Sequence, residues 1–444
     1  MTLCALYCAQ GIPWGFVTVT LLAWLARPEN NFTTEQLGPI VAVAALPWSF
    51  KFFWGPVMDR FSIPRFGRRR PWIIFAQSMA ILVLGMILLF DDLPSMVWTE
   101  TPADHWFWNV AYQFAPGPLL LMILVANIFV SIQDVAVDAL AVDLLNEDER
   151  GVANGLMYGS SYFGTAVGGA GLGWVVSMYG IRAGLIGQTV LLGIIMLLPL
   201  IVRERPSDSQ KSDSEKSDSQ KKDSSQNPNE LVAQETKRGE SIVKNLVRAF
   251  SLRSTILGAV MALGVRVGIG VLTAVFVDYL IKDGGWSQEE YTTTVGGYAV
   301  GLGLVGSVSG GFLADRAGTK SMILLSSFLL GALWIGFGMT PTAIDSKTNV
   351  QFMLLAQEFL LAVMSVSLFA LFMGISWPKV AATQFTTYMA LMNFSTTIGS
   401  YAAGYLDLRY TIFQILIVAG LTQIALSLPV LLIDPQETRR RLKA

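Results

Sequence analysis

The chain has 444 residues, of which 53% are hydrophobic and only 14% charged, and its formal net charge is −1. A typical soluble protein carries about 25% charged residues, and this much apolar surface cannot all be hidden in one soluble core. Two cysteines and a near-neutral balance exclude a disordered chain, a disulfide scaffold and a nucleic-acid binder that relies on excess positive charge. Lipid is the expected solvent for most of the chain.

A membrane-crossing helix needs about 20 mostly apolar residues, because the hydrocarbon core is about 30 Å thick and a helix rises about 1.5 Å per residue. Twelve segments qualify: 2–26, 36–58, 71–90, 117–143, 151–178, 182–202, 253–281, 291–314, 320–339, 350–374, 382–405 and 411–433. The apolar runs are continuous, which argues against a β-barrel. The first segment starts next to Met1 without a basic stretch or a small-residue cleavage site, so it reads as a retained helix. Cys4 and Cys8 share one of its faces and read as packing residues.

The second span carries Lys51 and is followed by Gly55-Pro56-Val57-Met58-Asp59-Arg60 and then Gly67-Arg68-Arg69-Arg70. The loop 91–116 holds His105, the only histidine, among Trp98, Trp106, Trp108 and Tyr112. One histidine supplies neither a zinc site nor a serine triad, and the aromatic residues read as interfacial anchors. No metal or cofactor is expected. The fourth span carries Asp134 and Asp138, four residues apart on one face. By depth, either can pair with Lys51.

The fifth span contains eight glycines in 151–173, among them Gly155 and Gly159, and the eighth contains seven in 296–311, among them Gly297 and Gly301. Small residues four apart let helices meet backbone to backbone. Between the sixth and seventh spans, residues 207–230 contain no apolar side chain. Such a segment cannot offset its ordering entropy and is expected to be a disordered tether. The predicted organisation is a six-helix bundle over 1–202, a linker over 203–251, a second bundle over 252–433 and a basic tail over 434–444. Arg266 in the seventh span and Glu358 in the tenth are further candidate intramembrane charges; each needs a partner, a watery cavity or a purpose.

With the N-terminus placed inside, 24 Lys and Arg fall on inner segments and 5 on outer loops, which predicts cytoplasmic termini. The motif after the second span recurs after the eighth as Gly311-Phe312-Leu313-Ala314-Asp315-Arg316-Ala317-Gly318-Thr319-Lys320. An internal repeat of this kind implies two similar bundles about a pseudo-two-fold axis.

These two motifs resemble the cytoplasmic loop signature of the major facilitator superfamily. The first carries the insert Phe61–Phe66. The resemblance implies an all-α fold of twelve transmembrane helices in two pseudo-symmetric six-helix bundles. It also implies a conformational latch formed by Gly55, Asp59, Arg60, Arg68, Glu149, Arg150, Gly311, Asp315 and Arg316. It further implies that the first, fourth, seventh and tenth helices line a central cavity, which places Gln10, Asp134, Arg266 and Glu358 on it, and that the glycine-rich fifth and eighth helices face each other across the halves.

A narrower resemblance rests on Tyr7-x-x-Gln10-Gly11-Ile12-Pro13, Pro47-Trp48-Ser49-Phe50-Lys51, Gln133-Asp134-Val135-Ala136-Val137-Asp138, Glu149-Arg150-Gly151 and Ala382-Thr383-Gln384-Phe385. These look like the muropeptide permeases of the AmpG type and the related acetyl-coenzyme A transporters. That implies a secondary transporter of a bacterial inner membrane. It would act as a monomer by alternating access, coupled to protons, and move a medium-sized anionic solute such as a muropeptide. Lys51 and Arg266 suit an anion by charge complementarity. Acetyl-coenzyme A, folate-like and sugar transport are the alternatives within the fold. A polytopic membrane enzyme or sensor is the remote one, since no catalytic cluster is visible. The candidate solute or proton residues are Gln10, Lys51, Asp134, Asp138, Arg266 and Glu358.

Overall fold

The computed structural model describes residues 1–60, 67, 69–97, 117–144, 150–201 and 244–442. The tether 207–230, the loop around His105, Arg68 and Glu149 lie outside them, as do the side chains of Asp59, Arg60 and Arg150. Ten helices are long and apolar enough to cross a membrane among the described residues: α1 Thr2–Leu25, α2 Thr34–Phe53, α3 Arg70–Ile87, α4 Pro118–Ala141, α6 Ile181–Ile201, α7 Arg253–Lys282, α8 Gln288–Ala317, α9 Thr319–Met339, α10 Lys347–Ile375 and α12 Ile412–Leu432. Two further long helices complete the twelve. α5 runs through Arg150–Ala166, Val167–Gly171 and Leu172–Tyr179, and α11 through Ala381–Asp407. α11 is less apolar because Ser395, Thr397, Ser400 and Gln384 are turned inward and buried.

The packing repeats between halves. α1 lies on α5 as α7 lies on α11. α2 lies on α4 as α8 lies on α10. α3 touches α4 and α6 as α9 touches α10 and α12. The first of these pairs shows why glycine is required. A Cβ on Gly11, Gly15, Gly164 or Gly168 would stand 2.1–2.2 Å from a carbonyl oxygen of the partner helix. A Cβ on Gly270 or Gly399 would stand 2.4 or 2.1 Å from one in the second pair. The helices therefore touch through their backbones, as small residues permit. The glycines of α5 thus serve two contacts, Gly164 and Gly168 the one with α1 inside one half, and Gly159, Gly169 and Gly173 the one with α8 across the halves.

Two spans that the sequence reads as continuous are broken. Pro47 has no N–H for the helical ladder and its ring crowds the carbonyl one turn back. α2 accordingly loosens into the short turns Leu46–Ser49 and Lys51–Phe53 before resuming at Trp54–Arg60. In α7 the helix stops at Gly264 and restarts at Val267, and Arg266 has φ −111°. The freed Arg266 N–H donates to Ser395 Oγ at 3.0 Å.

The halves meet at the face opposite the chain termini. There a Cβ on Gly38 would stand 2.3 Å from the Ser400 carbonyl oxygen, and one on Gly404 2.3 Å from Glu35 Cα. A Cβ on Gly296 of α8 would stand 2.8 Å from Gly169 Cα of α5. Thr34 Oγ1 donates to Asp278 Oδ2 at 3.0 Å, Asp278 pairs with Lys282 at 2.6 Å, and Lys282 Nζ donates to the Phe32 carbonyl. Toward the termini, α5 and α8 meet through side chains, a Cβ on Gly303 standing 3.3 Å from Tyr162 Cε1, and Phe50 of α2 meets Phe394 of α11 with ring centroids 6.4 Å apart. The nearest atom to a Cβ on Gly159 is Leu304 Cδ1 at 3.9 Å, and Gly301 has nothing within 4 Å. The halves are sealed backbone to backbone on one face, and on the other, the parted one, they touch through side chains.

Candidate functional site

The break in α2 delivers Lys51 to α4. Its Nζ lies 2.9 Å from Asp134 Oδ2, with side-chain exposures of 16% and 6%, and 5.8 Å from the centre of the Trp48 ring. Of the two carboxylates at the right depth, the structure pairs Lys51 with Asp134. Asp138 instead accepts from the Tyr7 hydroxyl of α1 and has no ion pair among the described residues. Tyr7 in turn meets Tyr158 of α5 edge to face, centroids 5.9 Å apart. One cation and two carboxylates thus lie together in the first half, and a carboxylate without a cation in such surroundings is costly.

Around this cluster several donors have no protein partner: Gln10 Nε2, Gln133 Nε2 and Trp48 Nε1 are buried and unbonded. Gln10 itself is buried on α1. Unmet donors beside stranded charges fit a place where a polar guest or water completes the bonding.

In the second half, Arg266 Nη2 donates to Ser365 Oγ at 3.1 Å. Glu358 lies within electrostatic reach of Arg266 and of Tyr162 of α5. It forms no hydrogen bond or ion pair among the described residues. Its nearest polar neighbour in sequence, Gln357, is occupied, accepting from Trp334 Nε1 at 2.8 Å. A Cβ on Gly303 would stand 3.2 Å from Glu358 Cγ and Oε1 and 3.3 Å from Tyr162 Cε1. Gly303 therefore leaves the space in which a tyrosine of one half meets the carboxylate of the other.

Five of the six sequence candidates fall into two clusters: Lys51, Asp134 and Asp138 in the first half, and Arg266 and Glu358 in the second. Gln10 is buried on α1, the helix that carries Tyr7. Tyr7 enters the sequence reading only within the narrower resemblance, and Tyr158, Tyr162, Ser365 and Ser395 do not enter it. Tyr158 and Tyr162 did carry a signal, one helical turn apart on a glycine-rich span. Of the latch, Asp315 and Arg316 are exposed and form no ion pair among the described residues, while Gly55 has nothing within 4 Å of its Cβ position. Gly311 nearly touches Val366 Cγ1, at 4.0 Å. Gly297 meets Ala170 Cβ at 3.3 Å, whereas Gly301 has nothing within 4 Å of its Cβ position.

Residues 3–377 match the family model described as Major Facilitator Superfamily. The chain belongs to that superfamily, and it is an integral, multi-pass membrane protein. It is similar to the anhydromuropeptide permease of Escherichia coli strain K12, 24% identical over 387 residues, which cover 86% of this chain and 69% of the permease. It is also similar to a putative transporter AmpG 4 of Rickettsia felis, 27% identical over 38% of this chain and 36% of that protein. An uncharacterized protein of Haemophilus influenzae is 27% identical over 33% of this chain and only 29% of its own length. Among solved structures, the D-xylose-proton symporter matches with a TM-score of 0.69 at 13% identity, covering 98% of both chains. The nucleoside transporter NupG matches with a TM-score of 0.66 at 14% identity, covering 97% of this chain and 98% of that one.

Proposed function

We propose that the chain is a secondary active transporter, not an enzyme. In this reading it works as a monomer in a bacterial inner membrane with both termini in the cytoplasm. It moves a medium-sized anionic solute such as a muropeptide by alternating access, coupled to protons. The single observation that carries the reading is the stranded Glu358. It stands near Arg266 at the junction of the two halves, next to a tyrosine from the other half, with no bonded partner. A carboxylate so placed takes and gives a proton as its surroundings change. With Lys51 held by Asp134, Arg266 is the cation left for a solute carboxylate. The sealed face and the parted face correspond to one of the two access states. The similarity to the E. coli permease supports the muropeptide assignment.

The test is uptake into proteoliposomes of anhydromuropeptide, acetyl-coenzyme A, a folate and a sugar, each with and without a pH gradient. Muropeptide accumulation that collapses with the gradient is expected. Glu358→Gln is expected to abolish gradient-driven accumulation while solute exchange continues. Accumulation equal to wild type would remove Glu358 as the proton carrier. Transport of only another solute on the panel would replace the substrate.

A further inference from the structure

On the sealed face, away from both charged clusters, a cavity of about 540 Å³ opens between the start of α8 and the start of α10. Its polar end is formed by Ser287, Glu289, Glu290 and Lys347, and its wall continues through Thr293 to Tyr298. Lys347 Nζ holds both oxygens of Glu290, at 2.9 and 2.8 Å. Glu289 is left as an exposed carboxylate without an ion pair among the described residues. The three charges sum to one negative charge.

The wall then descends. Ser287 caps α8, and Tyr298 lies about 16 Å further along the helix, roughly half the hydrocarbon thickness. Tyr298, Val305 and Phe312 are 58%, 54% and 66% exposed and recur every seventh residue, so they form one apolar stripe. A water-soluble ligand gains nothing from a groove that runs on into hydrocarbon. A molecule with a charged head and an acyl chain fits both parts.

The charges choose the head. A primary ammonium can donate to Glu289 while its phosphate lies beside the Lys347 ammonium. A choline head has no N–H to donate, and an anionic glycerol head meets a site that is already negative. We propose that this groove binds an aminophospholipid of the phosphatidylethanolamine type, with one acyl chain along Tyr298, Val305 and Phe312. The location gives the lipid influence on the fold. The groove wall contains Thr294, which begins the wide turn Thr294–Ala299, and Gly296 within that turn is the residue that abuts Gly169 across the halves.

The proposal depends on the membrane fold and not on the identity of the transported solute. Its test is native mass spectrometry of the delipidated, detergent-solubilised protein given phosphatidylethanolamine, phosphatidylcholine and phosphatidylglycerol of matched chains. Retention of phosphatidylethanolamine about fivefold or more above the other two is expected, with Glu289→Gln removing that preference and Tyr298→Ala lowering retention. Soluble phosphoethanolamine at equal concentration is expected not to displace the lipid. Equal retention of the three lipids, which is the behaviour of annular lipid only, would overturn the proposal. So would a preference for phosphatidylglycerol, or a preference unchanged in Glu289→Gln. Full displacement by phosphoethanolamine would overturn the role of the acyl chain.

Discussion

At the face opposite the termini, α5 and α8 come so close that Gly169 and Gly296 share one small volume. Further along the same pair the Cβ position of Gly301 has no neighbour within 4 Å, and Gly159 meets only the end of the Leu304 side chain at 3.9 Å. The chemistry differs as much as the spacing. The sealed end uses backbone contacts at Gly38, Gly296 and Gly404, tied by the Thr34–Asp278–Lys282–Phe32 chain. The parted end carries exposed charges: Asp315 and Arg316 form no ion pair among the described residues, and Glu437 pairs with Arg441. Seals made of backbone tolerate no added atom, whereas open glycines tolerate one until the other state forms. The same residue type therefore has opposite mutational meaning at the two ends.

The largest expected effects follow from that contrast. Gly296→Leu cannot be accommodated in this state, because its Cβ would meet the Gly169–Ala170 backbone at 2.6–2.8 Å. It is expected to hold the sealed face open. The check is labelling of single cysteines placed on that face, which should rise severalfold over the parent. Gly301→Leu fits this state and obstructs closure at the parted end. It is expected to stop transport while leaving labelling from the parted face at its full level. If both variants label alike, the two ends are not alternatives of one motion.

Next in size is the Lys51–Asp134 pair. Removing one partner of a buried pair leaves an uncompensated charge and costs about 3–5 kcal/mol, while replacing both by apolar groups is often neutral. Lys51→Met alone is expected to lower the thermal midpoint in detergent markedly. Lys51→Met with Asp134→Leu is expected to recover most of the loss. Failure of the double variant to recover would show that Lys51 also supports Asp138. Smaller again is Lys282→Met at the sealed end. It removes a charged hydrogen bond worth about 1–2 kcal/mol after allowance for partial exposure. It should raise sealed-face labelling less than Gly296→Leu does.

The sequence made some of this legible and hid the rest for physical reasons. Twenty-residue apolar runs and the repeated Gly…Asp-Arg motif revealed the spans and the two-fold repeat, because span length is dictated by the bilayer. The glycine stripe of α5 revealed a close-packed face but only one of its two partners, α8. Gly164 and Gly168 turned out to meet α1, since glycine spacing says how near a helix lies and nothing about which one. Depth along α2 and α4 placed Lys51 level with both aspartates. Rotation decided between them, and that rotation is set where Pro47 unwinds α2. Pro47 signals the break in α2, while Gly264-Val265-Arg266 gives no comparable warning in α7. Tyr162 and Glu358, 196 positions apart in the chain, meet only because Gly303 leaves room.

The gentlest test lies outside the membrane, at the parted end. The Glu437 side chain accepts from the Ser254 N–H at 2.8 Å and pairs with Arg441 at 3.5 Å, so it pins the C-terminal segment to the start of α7. The hydrogen bonds from Ser254 hold its carboxyl below the usual range for glutamate. A group with a depressed folded pKa stabilises above its unfolded value of about 4.3, and that contribution is lost as pH falls through the folded value. Amide exchange over 434–442 is therefore expected to quicken only below about pH 4, and Glu437→Gln should quicken it at neutral pH. The backbone contact of Gly296 with Gly169 on the sealed face should show no such acid step over Thr294–Ala299. An acid step at both ends would mean that titratable groups, and not glycine contacts, keep that face shut.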